Sequence, residues 1–166
     1  MGIGTDLHRL AAGRRLILGH VTVEHDLGLL GHSDGDVLLH AVMDALAGAA
    51  GLPDIGEMFP DSDPAYKDAD SSELLRQVLE GVAGRGYAPV NVDVTIHAEQ
   101  PRLGPYKTAI REQLAGLLNL PPDAVGVKAK TNEGLDAVGR GEAIACTAIV
   151  GLRAIDRDAP PGASDE

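Results

Sequence analysis

The sequence predicts an α+β domain whose mostly antiparallel sheet is covered on one face by three helices. Alternating apolar and polar runs read as strands, and three capped stretches with helical spacing read as helices. Breaks containing Gly or Pro separate them, and no internal repeat is present.

Gly2 to His8 reads as an opening strand and Arg15 to Val23 as a second one, with a turn over Ala11 to Arg14. Ser33 followed by Asp36 has capping-box spacing, which starts a helix at Ser33. Val37, Ala41, Ala45 and Gly48 share one face of that helix, and Gly51-Leu52-Pro53 ends it after Ala50. Leu52 to Ser72 is a long loop rich in aspartate that carries the only Phe, and loops of this kind are often functional. Asp70-Ser71-Ser72-Glu73 caps a second helix running to Ala83, closed by Gly84-Arg85-Gly86. Val90 to His97 alternates as a half-buried strand, and Gln100-Pro101 breaks it. Tyr106 to Leu118 is the third helix, stopped by Pro121-Pro122, and Val125 to Thr131 and Ala143 to Ile155 are strands. Residues 1–155 form the expected domain. Residues 156–166, rich in Pro, Gly and acids, form an expected disordered tail.

Composition narrows the function. A net charge of −11 argues against general nucleic-acid binding, and metal ions are a natural way for so acidic a chain to meet an anionic ligand. No apolar run reaches membrane length, and the N-terminus lacks signal-peptide layout. The single cysteine, Cys146, excludes a disulfide framework and points to a reducing compartment, so the expected location is the cytoplasm. With one Phe, three Tyr and no Trp, stacking is not expected to dominate recognition.

Histidines and carboxylates carry the candidate chemistry. Asp6 and His8 alternate along a strand, so they point the same way and make a two-donor arm. His40, two turns into the first helix, supplies a third donor; two His and one carboxylate suit Zn²⁺ with an open fourth position. The plainer alternatives are a surface Asp-His pair and a core histidine held by Asp36 or Asp44, its neighbours four residues away. His20 and His25 read as solvent-facing. Asp61-Ser62-Asp63 lacks the remaining positions of a calcium loop. Thr131, Asn132 and Glu133 leave a strand end where hydroxyl and N–H groups can reach an anion and Glu133 can hold a hard cation. Arg140, between two glycines, reads equally well as a turn residue.

Asp6-x-His8, His32-Ser33-Asp34-Gly35-Asp36 with His40, Asp54-Ile55-Gly56, Phe59-Pro60-Asp61-Ser62-Asp63-Pro64 and Gly139-Arg140-Gly141-Glu142 follow one another in that order. Together they resemble the 2-C-methyl-D-erythritol 2,4-cyclodiphosphate synthase family of the non-mevalonate isoprenoid pathway, from about Ile3 to Leu152. The resemblance implies a metal-dependent phosphorus–oxygen lyase. It would convert 4-diphosphocytidyl-2-C-methyl-D-erythritol 2-phosphate to the cyclic diphosphate with release of CMP. Asp6, His8 and His40 would hold Zn²⁺, and Glu133 a Mg²⁺ or Mn²⁺. His32 and Thr131 match positions that stabilise the transition state, and Ser33 one that holds phosphate.

Leu7 also falls within the matched substrate segment. Asp54, Ile55 and Gly56 would meet the methylerythritol unit, under a cover of Phe59, Pro60, Asp61, Ser62 and Asp63. The cytidine pocket would use Ala98, Glu99, Gln100, Pro101, Arg102, Leu103 and Gly104, with Ala129 and Lys130 opposite. Thr131, Asn132, Glu133, Ala137 and Arg140 complete the matched substrate positions. The resemblance further implies a homotrimer with active sites between subunits. Arg140 and Glu142 would lie at its central channel, where an isoprenoid diphosphate would bind.

Three departures from the family pattern stand out. Lys130-Thr131-Asn132 replaces three threonines, Arg102 replaces a lysine, and Asp136-Ala137 replaces Gly-Phe or Gly-Leu. Two other readings stay open on sequence alone: a zinc-dependent phosphohydrolase, and a metal- and isoprenoid-binding regulator without turnover.

Overall fold

The structure, a computed structural model, describes residues 1–60, 62–66 and 68–155. Its seven strands are β1 (Gly2–Ala12), β2 (Leu16–Leu18), β3 (Val21–Val23), β4 (Leu27–Leu29), β5 (Tyr87–His97), β6 (Val125–Lys130) and β7 (Ala143–Ala154). The α-helices are α1 (Val37–Ala50), α2 (Ile55–Met58), α3 (Ser71–Gly84), α4 (Lys107–Leu118) and α5 (Asp136–Gly139). The main sheet has the order β4-β1-β7-β5-β6, and β2 and β3 form a separate ribbon. Only the β5–β6 pair is parallel, so the sheet is mostly antiparallel as expected.

One face of the sheet is buried and the other is bare. Leu10, Val92, Val94, Ile96, Ile144, Cys146, Ala148 and Val150 turn inward against the helices. On the opposite face Ile3, Leu7 and Ile149 remain 66%, 57% and 44% exposed.

The seam between β1 and α1 is unusually tight. A Cβ at Gly2 would lie 2.1 Å from the Ala45 carbonyl oxygen, and one at Gly4 2.1 Å from that of Ala41. Only glycine permits that approach. The small stripe Ala41, Ala45 and Ala49 on the helix meets the glycines, so the next inward residues of β1, Asp6 and His8, come up beside His40.

Three local expectations are corrected. Helix α1 starts at Val37, not Ser33, because Asp36 is its N-cap and its carboxylate accepts from Leu38 N and Leu39 N. The same Asp36 Oδ1 and Oδ2 accept from Gly19 N and His20 N, 2.9 and 2.7 Å away. Arg15 to Val23 is a hairpin of two short strands, turning at Gly19 and His20, which both have positive φ (61° and 62°). The Leu52–Ser72 stretch is not all loop, for Asp54 caps the short helix α2 by accepting from Glu57 N at 2.9 Å. The expected tail, residues 156–166, lies outside the described residues.

Candidate metal and substrate site

Two elements bring three donors to one point. Asp6 Oδ2 lies 2.8 Å from His8 Nε2 and 3.0 Å from His40 Nδ1, and the two ring nitrogens are 3.0 Å apart. The donor atoms of these residues all lie within 4.8 Å of one another, and no other such trio of His, Cys, Asp or Glu occurs among the described residues. Neither Asp36 nor Asp44 holds His40. Asp36 is committed to the backbone N–H groups above, and Asp44 Oδ1 accepts from Ile55 N at 2.9 Å.

Each imidazole is also supported from behind. The His8 ring hydrogen-bonds the backbone of Leu30. His40 Nε2 sits 3.0 Å from Ser33 Oγ and 3.1 Å from Ser71 Oγ. Burial works against the charge of Asp6, yet hydrogen bonds from His40 and His8 hold its carboxyl well below the usual carboxylate range. Burial lowers and the Asp6 carboxylate raises the His8 pKa, with a net rise. One carboxylate and two imidazoles, each ring supported on its far side, fit Zn²⁺ with one position left open.

A cleft opens at the trio. Asp6, His8, His32, Ser33 and His40 line it on one side and Ile55, Gly56 and Phe59 on the other. His32 Nε2 is buried with no hydrogen-bond partner among the described residues, a polar atom whose demand a ligand can meet. Asp68 N donates to the His32 carbonyl at 2.8 Å, and Arg14 donates to that of Ser33 at 2.8 Å, which pins this loop. Met43, Tyr66 and Leu74 also line the cleft and were not expected from sequence, and Phe59 meets Tyr66 edge to face.

The remaining expected residues fall elsewhere. Leu7 points to the bare face, and its N–H donates to Asp6 Oδ1. Asp54, exposed, borders a separate depression with Asp44. Pro60 is half-buried and Ser62 and Asp63 are exposed, while Asp61 lies outside the described residues.

Ala98 to Gly104, together with Ala129, Lys130 and Thr131, line a second cleft. Beside it, Thr131 Oγ1 donates to Glu133 Oε1 at 2.8 Å, and Asn132 N donates to Glu99 Oε2 at 3.3 Å. Ala137 lies in α5 and Arg140 caps it, with Arg140 donating twice to Glu142 at 2.9 and 3.1 Å. Thus the trio gathers with His32 and Ser33, whereas Thr131 and Glu133 belong with the second cleft. In register, Asp6 pairs Cys146, Cys146 pairs Ile96 and Ile96 pairs Ala129. Three strand spacings, about 14 Å, therefore separate Asp6 from Ala129.

An α+β domain carrying an open cleft and a half-buried Asp-His-His trio is a scaffold that could hold a metal ion. The chain belongs to the YgbB family, whose sequence model matches residues 1–153. It is 57% identical over 150 residues to the 2-C-methyl-D-erythritol 2,4-cyclodiphosphate synthase of Bordetella pertussis, covering 90% of this chain and 93% of that one. The synthase of Moorella thermoacetica is 53% identical over 162 residues, covering 98% of each. A solved synthase structure in a form bound to CDP superposes with a TM-score of 0.85 at 39% identity, covering 92% of this chain and 99% of that one.

Proposed function

We propose that this chain converts 4-diphosphocytidyl-2-C-methyl-D-erythritol 2-phosphate to the 2,4-cyclodiphosphate and CMP, a step of isoprenoid precursor synthesis. Relatives 53–57% identical bear the name of that reaction. The observation that carries the reading is the meeting of Asp6, His8 and His40 at 2.8–3.0 Å in the cleft of the unpartnered His32 Nε2.

An oxygen of the 2-phosphate forms a bond to the β-phosphorus. The bond from that phosphorus to the oxygen bridging it to the α-phosphorus breaks, and CMP leaves with the bridging oxygen and the electron pair. Such a transfer needs positioning and charge stabilisation more than covalent help. Asp6, His8 and His40 would hold Zn²⁺ and Glu133 a Mg²⁺ or Mn²⁺, which supply charge neutralisation at the phosphate oxygens. His32 and Thr131 stabilise the developing charge, and Ser33 donates to phosphate. Asp54, Ile55 and Gly56 bind the methylerythritol unit beneath the Phe59–Asp63 segment. The backbone of Ala98–Gly104 and Ala129–Lys130 receives the cytidine.

The working site is shared between copies of the chain. The cleft at the trio, about 230 Å³, is smaller than the ~300 Å³ at which ligand pockets begin. The nucleotide cleft lies three strands away in the same chain, so a neighbour's is the one that completes the site. The bare sheet face, with Ile3, Leu7 and Ile149 exposed, supports a homotrimer whose sheets line a channel. Arg140 and Glu142 lie at that channel, which takes an isoprenoid diphosphate. The enzyme is cytoplasmic; among the described residues no helix is long and apolar enough to cross a membrane.

³¹P NMR with substrate, Zn²⁺ and Mg²⁺ tests the reaction. Paired cyclic-diphosphate resonances rising with CMP, and abolished by chelation, are expected. Release of inorganic phosphate would make the protein a phosphohydrolase instead. Light scattering behind a sizing column tests the trimer.

A further inference from the structure

Behind His40, on the side away from the trio, lies a buried polar chain that the reaction itself does not use. Ser71 is fully buried at the first residue of α3, and its Oγ donates to Asp34 Oδ1 at 2.5 Å while its N–H donates to Asp34 Oδ2 at 3.1 Å. A serine hydroxyl has one proton, and a carboxylate at that distance takes it. Towards His40 Nε2, 3.1 Å away, Ser71 Oγ can therefore only accept. Ser33 Oγ, 3.0 Å from the same nitrogen and 3.4 Å from Ser71 Oγ, has no such fixed role and accepts from Nε2 once that nitrogen carries the proton.

We propose that Asp34 and Ser71 are positioning residues that keep a proton on His40 Nε2, so that Nδ1, which faces the Asp6 carboxylate at 3.0 Å in the metal-free site, is the nitrogen that gives up its proton to take the metal. The geometry gives the direction of every proton in the chain: Nε2–H to Ser71 Oγ, then Ser71 Oγ–H to the Asp34 carboxylate. His40 is buried, and without Ser71 the remaining partner of Nε2 is Ser33, whose hydroxyl can donate as well as accept and so does not hold the proton on Nε2. A second consequence follows for Ser33. With Nε2 protonated, Ser33 accepts there, and its own hydroxyl proton can turn to Ser71 Oγ, 3.4 Å away, or to an anionic ligand in the cleft it lines. The inference rests on the trio being a metal site, and it adds two residues that neither touch the metal nor line the cleft.

The test uses the full-length protein with ¹⁵N-labelled histidine. In metal-free protein, long-range ¹H–¹⁵N spectra should show His40 protonated at Nε2. Ser71→Ala should leave Nε2 only partly protonated and weaken zinc binding 10- to 100-fold in competition with a chromophoric chelator, the usual cost of losing an outer-shell partner. Ser71→Thr, which keeps the hydroxyl, should restore both readouts. Asp34→Asn should reproduce the Ser71→Ala effect in milder form, and it serves should the alanine variant fail to fold. A parent His40 without a proton at Nε2, or zinc affinity unchanged within twofold in Ser71→Ala and Asp34→Asn, overturns the inference. A parent that binds no zinc while His40 carries its proton at Nε2 overturns the metal reading and not the proton chain.

Discussion

His40 Nδ1 lies 3.0 Å from Asp6 Oδ2, joining a helix and a strand 34 residues apart. Among the described residues no other group of His, Cys, Asp or Glu side chains is placed to hold a metal ion. His40→Ala should therefore abolish zinc uptake and lower turnover more than about 100-fold, beyond the loss expected for an outer-shell partner. Far-UV circular dichroism should stay native, because the core around α1 is apolar. Normal zinc content with normal turnover in the variant would remove His40 from the ligand set.

The β1–α1 seam makes a second prediction. Gly4→Ala would place a methyl group 2.1 Å from the Ala41 carbonyl oxygen, and two packed backbones would have to separate. Overpacking of this kind costs about 1–3 kcal/mol, seen as a lower urea midpoint. Zinc affinity should fall with it, since the shift draws Asp6 from His40.

Asp44 gives a pH dependence. Burial, with repulsion from Asp54 and Asp6, raises its pKa above 3.8 despite the hydrogen bond from Ile55 N. The folded state thus binds the proton more tightly than the unfolded state. This contribution to stability is full below the ordinary value and is lost as pH rises through the raised one. Asp44→Asn keeps an oxygen for Ile55 N and removes the charge. Urea titrations should find the variant more stable at pH 7.5, by no more than about 1 kcal/mol at so solvated a site, with the advantage gone by about pH 3.

Cys146 should resist alkylation in the native protein. It is 1% exposed, and burial pushes its thiol well above the usual range, so the reactive thiolate is scarce. Iodoacetamide should label it only as the protein unfolds. Labelling at the rate of a free thiol would contradict its place in the core.

Much of the fold was legible because its signals are local. Gly51, with φ of 66°, ends α1 where a glycine after an apolar periodic run was expected to. Asp70 caps α3, and Asp6 and His8 share a strand face, as alternation requires. The start of α1 was misread because Ser33 and Asp36 have capping-box spacing while the Ser33 hydroxyl is engaged by His40, a distant contact. The β2–β3 turn was missed since Gly19-His20 is not one of the Asn-Gly or Asp-Gly pairs that announce such hairpins. Helix α2 did leave a signal, with Glu57 three residues after Asp54. Ser71 left none: its sequence context is that of a helix start, and only the packing of α3 against α1 brings it to His40.

Asp36 has a consequence for how the molecule opens. Its one carboxylate serves four amides, Gly19 and His20 in a ribbon turn and Leu38 and Leu39 at a helix start. Those amides share an acceptor and so should share a fate in hydrogen exchange, protected together and released together. Fraying of the ribbon is then not a private event of a surface hairpin. It loosens the first turn of the helix that carries His40, so two segments distant in the chain behave as one unit of local unfolding.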